Sequence, residues 1–190
     1  MVDFEDDVKK CIQVLQQGGV ILYPTDTVWG LGCDAMNEAA IERIYALKQR
    51  PKEKSMIVLL ADARDVISYV AAPPPDIIAI IEGFTRPTTV VYEQALEFPS
   101  NLVNADGSIA IRVTTDPFCK ALIKRFRKPI VSTSANISGQ PTPALFGLID
   151  RQIVDGAGYA VRYRQDDDTI RSPSQLVKIN DDGVLEVLRK

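Results

Sequence analysis

The 190-residue sequence contains no histidine. That absence removes Ser-His and Cys-His nucleophilic catalysis, removes imidazole metal ligands, and leaves no side chain whose ordinary pKa lies near neutrality. Cysteine is scarce as well. Cys11, Cys33 and Cys119 are odd in number, far apart and without a C-x-x-C pair, which argues against a disulfide framework and a zinc ribbon. Each reads as a small buried hydrophobe. No apolar run approaches the ~20 residues of a membrane span. The N-terminal MVDFEDDVKK is acidic and lacks the apolar centre of a signal peptide, so the chain is expected in the cytoplasm. Neither G-x-x-x-x-G-K-S/T nor G-x-G-x-x-G occurs, which excludes a Walker-type phosphate loop and a dinucleotide fold. An enzyme of this composition works with carboxylates, cations, hydroxyls and a metal ion brought in by its substrate.

What is present is ordinary in bulk and uneven in detail. A content of 46% hydrophobic and 25% charged residues is that of a globular chain, and the length predicts one domain over residues 1–190. A net charge of −3 does not describe a general nucleic-acid binder. The cations nevertheless cluster, with Arg43, Lys48, Arg50, Lys52 and Lys54 in one stretch and Lys120, Lys124, Arg125, Arg127 and Lys128 in another. Acidic runs lie apart from them, at 3–7 and 166–168. Two cationic patches on a mildly acidic protein suit a polyanionic small molecule. Two solvated helix faces would look the same from charge alone.

Hydrophobic spacing divides the chain into alternating helices and strands. Val8, Cys11, Ile12 and Leu15 form a helical stripe that stops at Gly18-Gly19, and the strand VILY (20–23) follows. Asn37 is placed to cap a second helix, which ends at KQRP. MIVLL reads as a buried strand, with helices after it at 63–70 and beyond APPPD. TTVVYE and SIAIRVT read as strands, and DPFCKALIKRF as a helix begun by Asp116 with Pro117 in its first turn. KPIV is a short buried strand opening into a loop rich in serine, asparagine and glycine. A short helix near 144–150 and strands near 159–163, 175–179 and 184–188 complete a mixed α/β pattern.

Three segments share one form: a buried strand that runs out into small polar or cationic residues. They begin at Tyr23 (YPTDTVWGLG), at Arg112, and at Val131 (VSTSAN). Strand ends of this kind are where α/β sheets collect ligands. In LKQRPKEK, Lys48 and Arg50 are two apart at a helix end; arginine supplies a rigid fork for phosphate and lysine a mobile point charge. Cations there also complement the helix dipole. Ser134 and Asn136 follow PIV with a hydroxyl and a carboxamide suited to phosphate oxygens or a ribose hydroxyl. A nucleophilic Ser134 would need a base that this histidine-free chain supplies only as lysine or carboxylate. Asp26 reads chiefly as a turn-capping carboxylate, with orientation of Thr25 or Thr27, or of a metal-bound water, as the alternatives.

Taken together, YPTDTVWGLGCDA, LKQRP, IAIRV and PIVSTSANISGQP, in this order and spacing, resemble the threonylcarbamoyl-AMP synthase (YrdC-like) family from about Gly18 to Pro143. The resemblance implies an α/β fold with a twisted mixed sheet, helices on its faces, and a cationic concave cavity. It implies synthesis of threonylcarbamoyl-AMP and pyrophosphate from L-threonine, bicarbonate and ATP, with Mg²⁺ held mainly through the ATP phosphates. A tRNA threonylcarbamoyl-transfer complex would use the product, with tRNA or double-stranded RNA as a further partner. Carried over by position, Lys48 and Arg50 match the K-x-R pair for ATP phosphates and catalysis. Ser134 and Asn136 match the S-x-N nucleotide element, and Ser174 a C-terminal nucleotide contact. Thr25 and Thr27 match the threonine and carbamate pocket, and Arg112 the arginine that holds carboxylate or carbamate.

The departures are equally specific. Trp29 stands where the family usually has tyrosine, Arg86 where it has glycine, and Gln175 and Lys178 where a Ser-Thr-x-x-Asp strand has threonine and aspartate. RYRQDDDT (162–169) reads as a surface excursion, and the ending LRK matches the short form of the family. Two rivals follow from the same residues. One is an RNA-binding module with Lys120 to Lys128 as its phosphate face; the other is a paralogue with a changed acceptor.

Overall fold

The computed structural model describes residues 4–51, 56–179 and 184–190. Asp3 of the acidic run and Lys52 and Lys54 of the first cationic stretch lie outside the described residues. Helix α1 (Glu5–Gln16) buries Val8, Cys11 and Leu15, the stripe that the spacing predicts, and puts Glu5, Asp6 and Asp7 in its first turn, where they complement the helix dipole. It gives way to Gly18, whose φ of +70° is cheap only for glycine. Strand β1 (Ile21–Tyr23) is wholly buried.

Strand β2 (Gly30–Gly32) is an element that the hydrophobic spacing does not predict, because two of its three residues are glycines. It pairs antiparallel with β1, Ile21 opposite Gly32 and Tyr23 opposite Gly30. The glycines are there for close approach. A Cβ on Gly32 would sit 2.7 Å from a ring carbon of Tyr23 and 2.7 Å from the carbonyl oxygen of Val131.

Helix α2 (Glu38–Lys48) is capped by the Asn37 side chain, which accepts from the Ala40 amide, and ends at Gln49 in the left-handed region. Strand β3 (Ile57–Leu60) follows. The helix expected at 63–70 is a tighter 3₁₀ segment (Ala63–Ser68), before α3 (Ile77–Glu82), β4 (Thr88–Tyr92) and β5 (Ile109–Val113). Helix α4 (Pro117–Phe126) begins as its sequence predicts, with Asp116 accepting from the Cys119 amide, and β6 (Ile130–Ser134) follows. The helix expected at 144–150 is replaced by a 3₁₀ turn (Phe146–Leu148) and then α5 (Arg151–Gly156), with Asp150 as its N-cap. Strand β7 is only Tyr159–Ala160, because the amides of Arg162 and Tyr163 turn to the Asp7 carboxylate. The chain closes with β8 (Gln175–Ile179) and β9 (Leu185–Arg189).

Among the described residues these strands form one nine-stranded mixed sheet in the order β7-β1-β2-β6-β3-β5-β4-β8-β9. Register assigns its faces. Ile57 lies opposite both Ala110 and Ser132, Val91 lies opposite Ala110, and Gly30 lies opposite Ser134. Because side chains alternate along a strand, Ala110 and Arg112 share a face with Ser132 and Ser134. The intervening Val58, Val90, Ile111 and Val131 are buried on the opposite face. Helices α1 and α4 pack on each other and against β1 and β3 respectively, while α2 packs on α5.

Replacing Gly32 by alanine forces Tyr23 or the β6 backbone to move. The expected cost is about 1–3 kcal/mol of folding free energy, read as a lower urea or thermal midpoint. A wild-type midpoint would mean that the β1–β2–β6 contact is looser than described.

Candidate functional site

The polar face of the sheet floors a cavity of about 370 Å³. Its β2–β6 side carries Thr27, Trp29, Ser132 and Ser134; its centre carries Ile57, Ala110 and Arg112; its far side carries Val91, Ser174 and Leu176. Arg50 and Arg189 also line it. Three arginines therefore face the cavity, and no carboxylate does among the described lining residues. The site is built to meet anionic groups, with hydroxyls around them to take hydrogen bonds.

Of the residues singled out in the sequence, Thr27, Arg50, Arg112, Ser134 and Ser174 line the cavity. Thr25, Lys48 and Asn136 are not among the lining residues; each shapes a neighbour that is, or the loop that carries it. The Thr25 hydroxyl donates to the carbonyl oxygen of Val28 at 2.9 Å and accepts from the Thr27 amide at 2.9 Å. It also lies 2.9 Å from the Thr27 hydroxyl. Thr25 thus caps the turn, the part expected of Asp26.

Asp26 does something else. Its carboxylate accepts from the Thr114 hydroxyl at 3.2 Å and the Thr115 amide at 3.3 Å, and faces Arg112 with N···O at 3.4 Å. Arg112 is 3% exposed, and its Nε is buried without a hydrogen-bond partner. Its guanidinium is thus balanced in charge by Asp26 while the residue lines the cavity, and one of its donors is left unpartnered.

Lys48 is expected to reach phosphate directly, and its side chain is directed elsewhere. It is 1% exposed, and its ammonium donates to the carbonyl oxygens of Ser134 and Asn136, the latter at 2.6 Å. The Ser138 amide returns a bond to the Lys48 carbonyl at 2.7 Å. The end of α2 therefore clamps the S-x-N loop at three points. Burial first, and the Arg50 charge second, push the Lys48 pKa down to about 8. Asn136 closes the same loop, its amide nitrogen donating to the carbonyls of Ile137 and Gln140 at 3.0 and 2.8 Å. Burial also lowers the pKa of Arg50.

Ser174 is tied to Thr89 by a 2.8 Å hydroxyl contact, and its carbonyl accepts from Arg189 at 2.9 Å. Arg189 is a cavity cation that the sequence does not point to. Its only signal is the alternation of β9, which pairs it with Leu176 across the sheet. Asn104 and Thr142 were missed too, both from loops without periodicity. Arg86 is exposed and outside the lining, while Lys178 pairs with Glu93 at 2.9 Å. Trp29 packs on Phe146 with ring centroids 4.8 Å apart and keeps an aromatic wall. All three cysteines are buried and free, and burial pushes each thiol far above its ordinary pKa, which makes them inert.

A cavity whose described lining is arginines, hydroxyls and apolar side chains on a mixed sheet defines a class of protein suited to anionic ligands. The family model Sua5_yciO_yrdC, described as "Telomere recombination", matches residues 13–190. The threonylcarbamoyl-AMP synthase of Pseudoalteromonas translucida (strain TAC 125) is 41% identical over 160 residues, covering 83% of this chain and 86% of that protein. Two solved structures share the fold. P. abyssi Sua5 complexed with L-threonine superposes with a TM-score of 0.84 at 22% identity over 97% of this chain, which spans 54% of that longer protein. E. coli YciO gives 0.83 at 22% identity, covering 97% and 89% of the two chains. The chain belongs to the Sua5/YciO/YrdC family.

Lys48→Met tests the clamp. Two buried carbonyls lose a charged donor, so folding stability should fall by about 2–4 kcal/mol in urea unfolding. An unchanged midpoint would mean that the S-x-N loop stands without Lys48.

Proposed function

We propose that this protein is a threonylcarbamoyl-AMP synthase, forming threonylcarbamoyl-AMP and pyrophosphate from L-threonine, bicarbonate and ATP. The observation that carries the reading is the cavity itself: three arginines and a ring of hydroxyls, with no carboxylate among the described lining residues. The reaction asks for little more. The neutral threonine amine and bicarbonate give a carbamate and one water, and a carbamate oxygen then attacks the α-phosphorus of ATP while pyrophosphate leaves. The carbamate is the nucleophile, so a chain without histidine and with inert cysteines lacks nothing the chemistry needs. Positioning and charge neutralisation carry the rate.

In this reading Arg50 and Arg189 meet the phosphates. Arg112 holds the threonine carboxylate or the carbamate, with the Thr27 hydroxyl beside it. Ser134 and Ser174 bind nucleotide oxygens, and Lys48 and Asn136 hold the loop that presents Ser134. Mg²⁺ fits as an ion carried by the triphosphate. The described residues hold no cluster of three acidic, thiol or imidazole groups suited to a metal, while the cavity hydroxyls suit the water ligands of a phosphate-bound ion. The ion would neutralise charge on the departing pyrophosphate. A tRNA threonylcarbamoyl-transfer complex would then consume the adenylate.

The RNA-binding alternative is less well supported. Arg125 of its basic face makes two bonds to Glu5, at 2.5 and 2.8 Å, and Lys128 pairs with Asp34 at 2.7 Å. Both cations are engaged by carboxylates of the same chain.

The expected result is pyrophosphate release that requires L-threonine, with the threonylcarbamoyl-adenylate mass found in the product. Release without threonine, or a different acylated adenylate, would instead identify a paralogue with a changed acceptor. Arg50→Ala should lower kcat/KM by ~10²-fold or more in a folded protein, on the scale of removing one preorganised donor. Near-normal turnover would remove Arg50 from the phosphate site.

A further inference from the structure

Arg164, a largely buried cation, has no part in the reading so far. It lies in the 162–169 stretch that the sequence presents as a surface excursion, and its side chain turns inward instead. The segment is fixed from below. The Asp7 carboxylate accepts from the Tyr159 hydroxyl at 2.5 Å and from the amides of Arg162 and Tyr163 at 3.2 and 2.9 Å. The Tyr163 ring packs against both Phe4 and Phe118. On this base Arg164 adopts φ of +65°, a backbone region that non-glycine residues rarely occupy. Its guanidinium donates to the Asp116 carboxylate at 2.8 Å and the Thr25 carbonyl at 3.2 Å, 139 residues away in sequence.

Both acceptors lead to the cavity. Thr25 holds the Thr27 amide through its hydroxyl. The Asp116 amide donates to the Thr114 hydroxyl at 3.2 Å, that hydroxyl donates to Asp26 at 3.2 Å, and Asp26 faces Arg112 at 3.4 Å. Arg164–Asp116 and Arg112–Asp26 are thus two largely buried ion pairs, their carboxylates joined through the Thr114 hydroxyl.

We propose that Arg164 is a positioning residue that holds the Thr25–Asp26 turn, and through it Thr27 and Arg112, in the geometry the amino-acid substrate meets. Arg164 does not line the cavity, so it acts only through these neighbours. The identity of that substrate rests on the synthase reading; the positioning itself does not.

Arg164→Gln and Arg164→Lys test it with two readouts. Hydrogen exchange reports on geometry: the Thr27 and Thr115 amides, which donate to Thr25 and Asp26, should exchange roughly tenfold faster in Arg164→Gln, with β3 and β5 amides unchanged. Arg164→Lys, which keeps the charge, should restore much of the protection. Wild-type exchange at both amides overturns the proposal whatever the activity. Kinetics report on consequence: KM for L-threonine should rise by about fivefold or more while KM for ATP stays within about twofold. A fall in kcat with both KM values unchanged means a smaller folded fraction, and also overturns it. If Arg164→Gln does not fold, the same two readouts on Arg164→Lys decide. A wild-type protein with no threonine-dependent release sinks the synthase reading alone, and exchange still decides the role of Arg164.

Discussion

A buried arginine must be neutralised on one side and left open on the other if it is to hold a substrate. Arg112 meets both demands through Asp26, which faces it from outside the cavity lining, and no carboxylate opposes it among the described lining residues. Much of the surrounding architecture serves that arrangement. The β1–β2 hairpin delivers Asp26, the end of β5 delivers Arg112, and the residues just beyond β5 bind both the hairpin and α4. Desolvation makes an uncompensated guanidinium costly, and equally makes a compensated one effective.

The same economy explains why positions matched to a binding motif divide into two kinds. Thr27, Arg50 and Ser134 face the cavity, while Thr25, Lys48 and Asn136 fix the backbone that carries them. A motif records both kinds without distinction, because a loop that shifts by an ångström disables a ligand as surely as losing the ligand itself.

This sets the limit of what was legible in the chain. Element ends were legible wherever a side chain caps a helix: Asn37 and Asp116 behave as their spacing predicts. Strand β2 was not, because two of its three residues are glycines and glycine carries no alternation. The helix near residue 150 was displaced for a related reason, Asp150 being a start signal rather than a stop. Arg189 escaped notice because its place in the cavity depends on the β4–β8–β9 register, a long-range fact. Asp26 reads as capping its own turn because local hydrogen bonding is the default for aspartate, and its true partners lie 88 and 89 residues away. Of the C-terminal departures from the family pattern, Lys178 finds Glu93 as a partner, while the retained Ser174 meets Thr89.

The chain has a single tryptophan, and Trp29 stands in the cavity wall against Phe146. Indole fluorescence from this protein therefore originates at the site and nowhere else. An arriving purine ring or triphosphate changes the polarity and stacking around that one fluorophore. The cavity comes with its own optical reporter, and occupancy can be followed in unlabelled protein on the timescale of mixing.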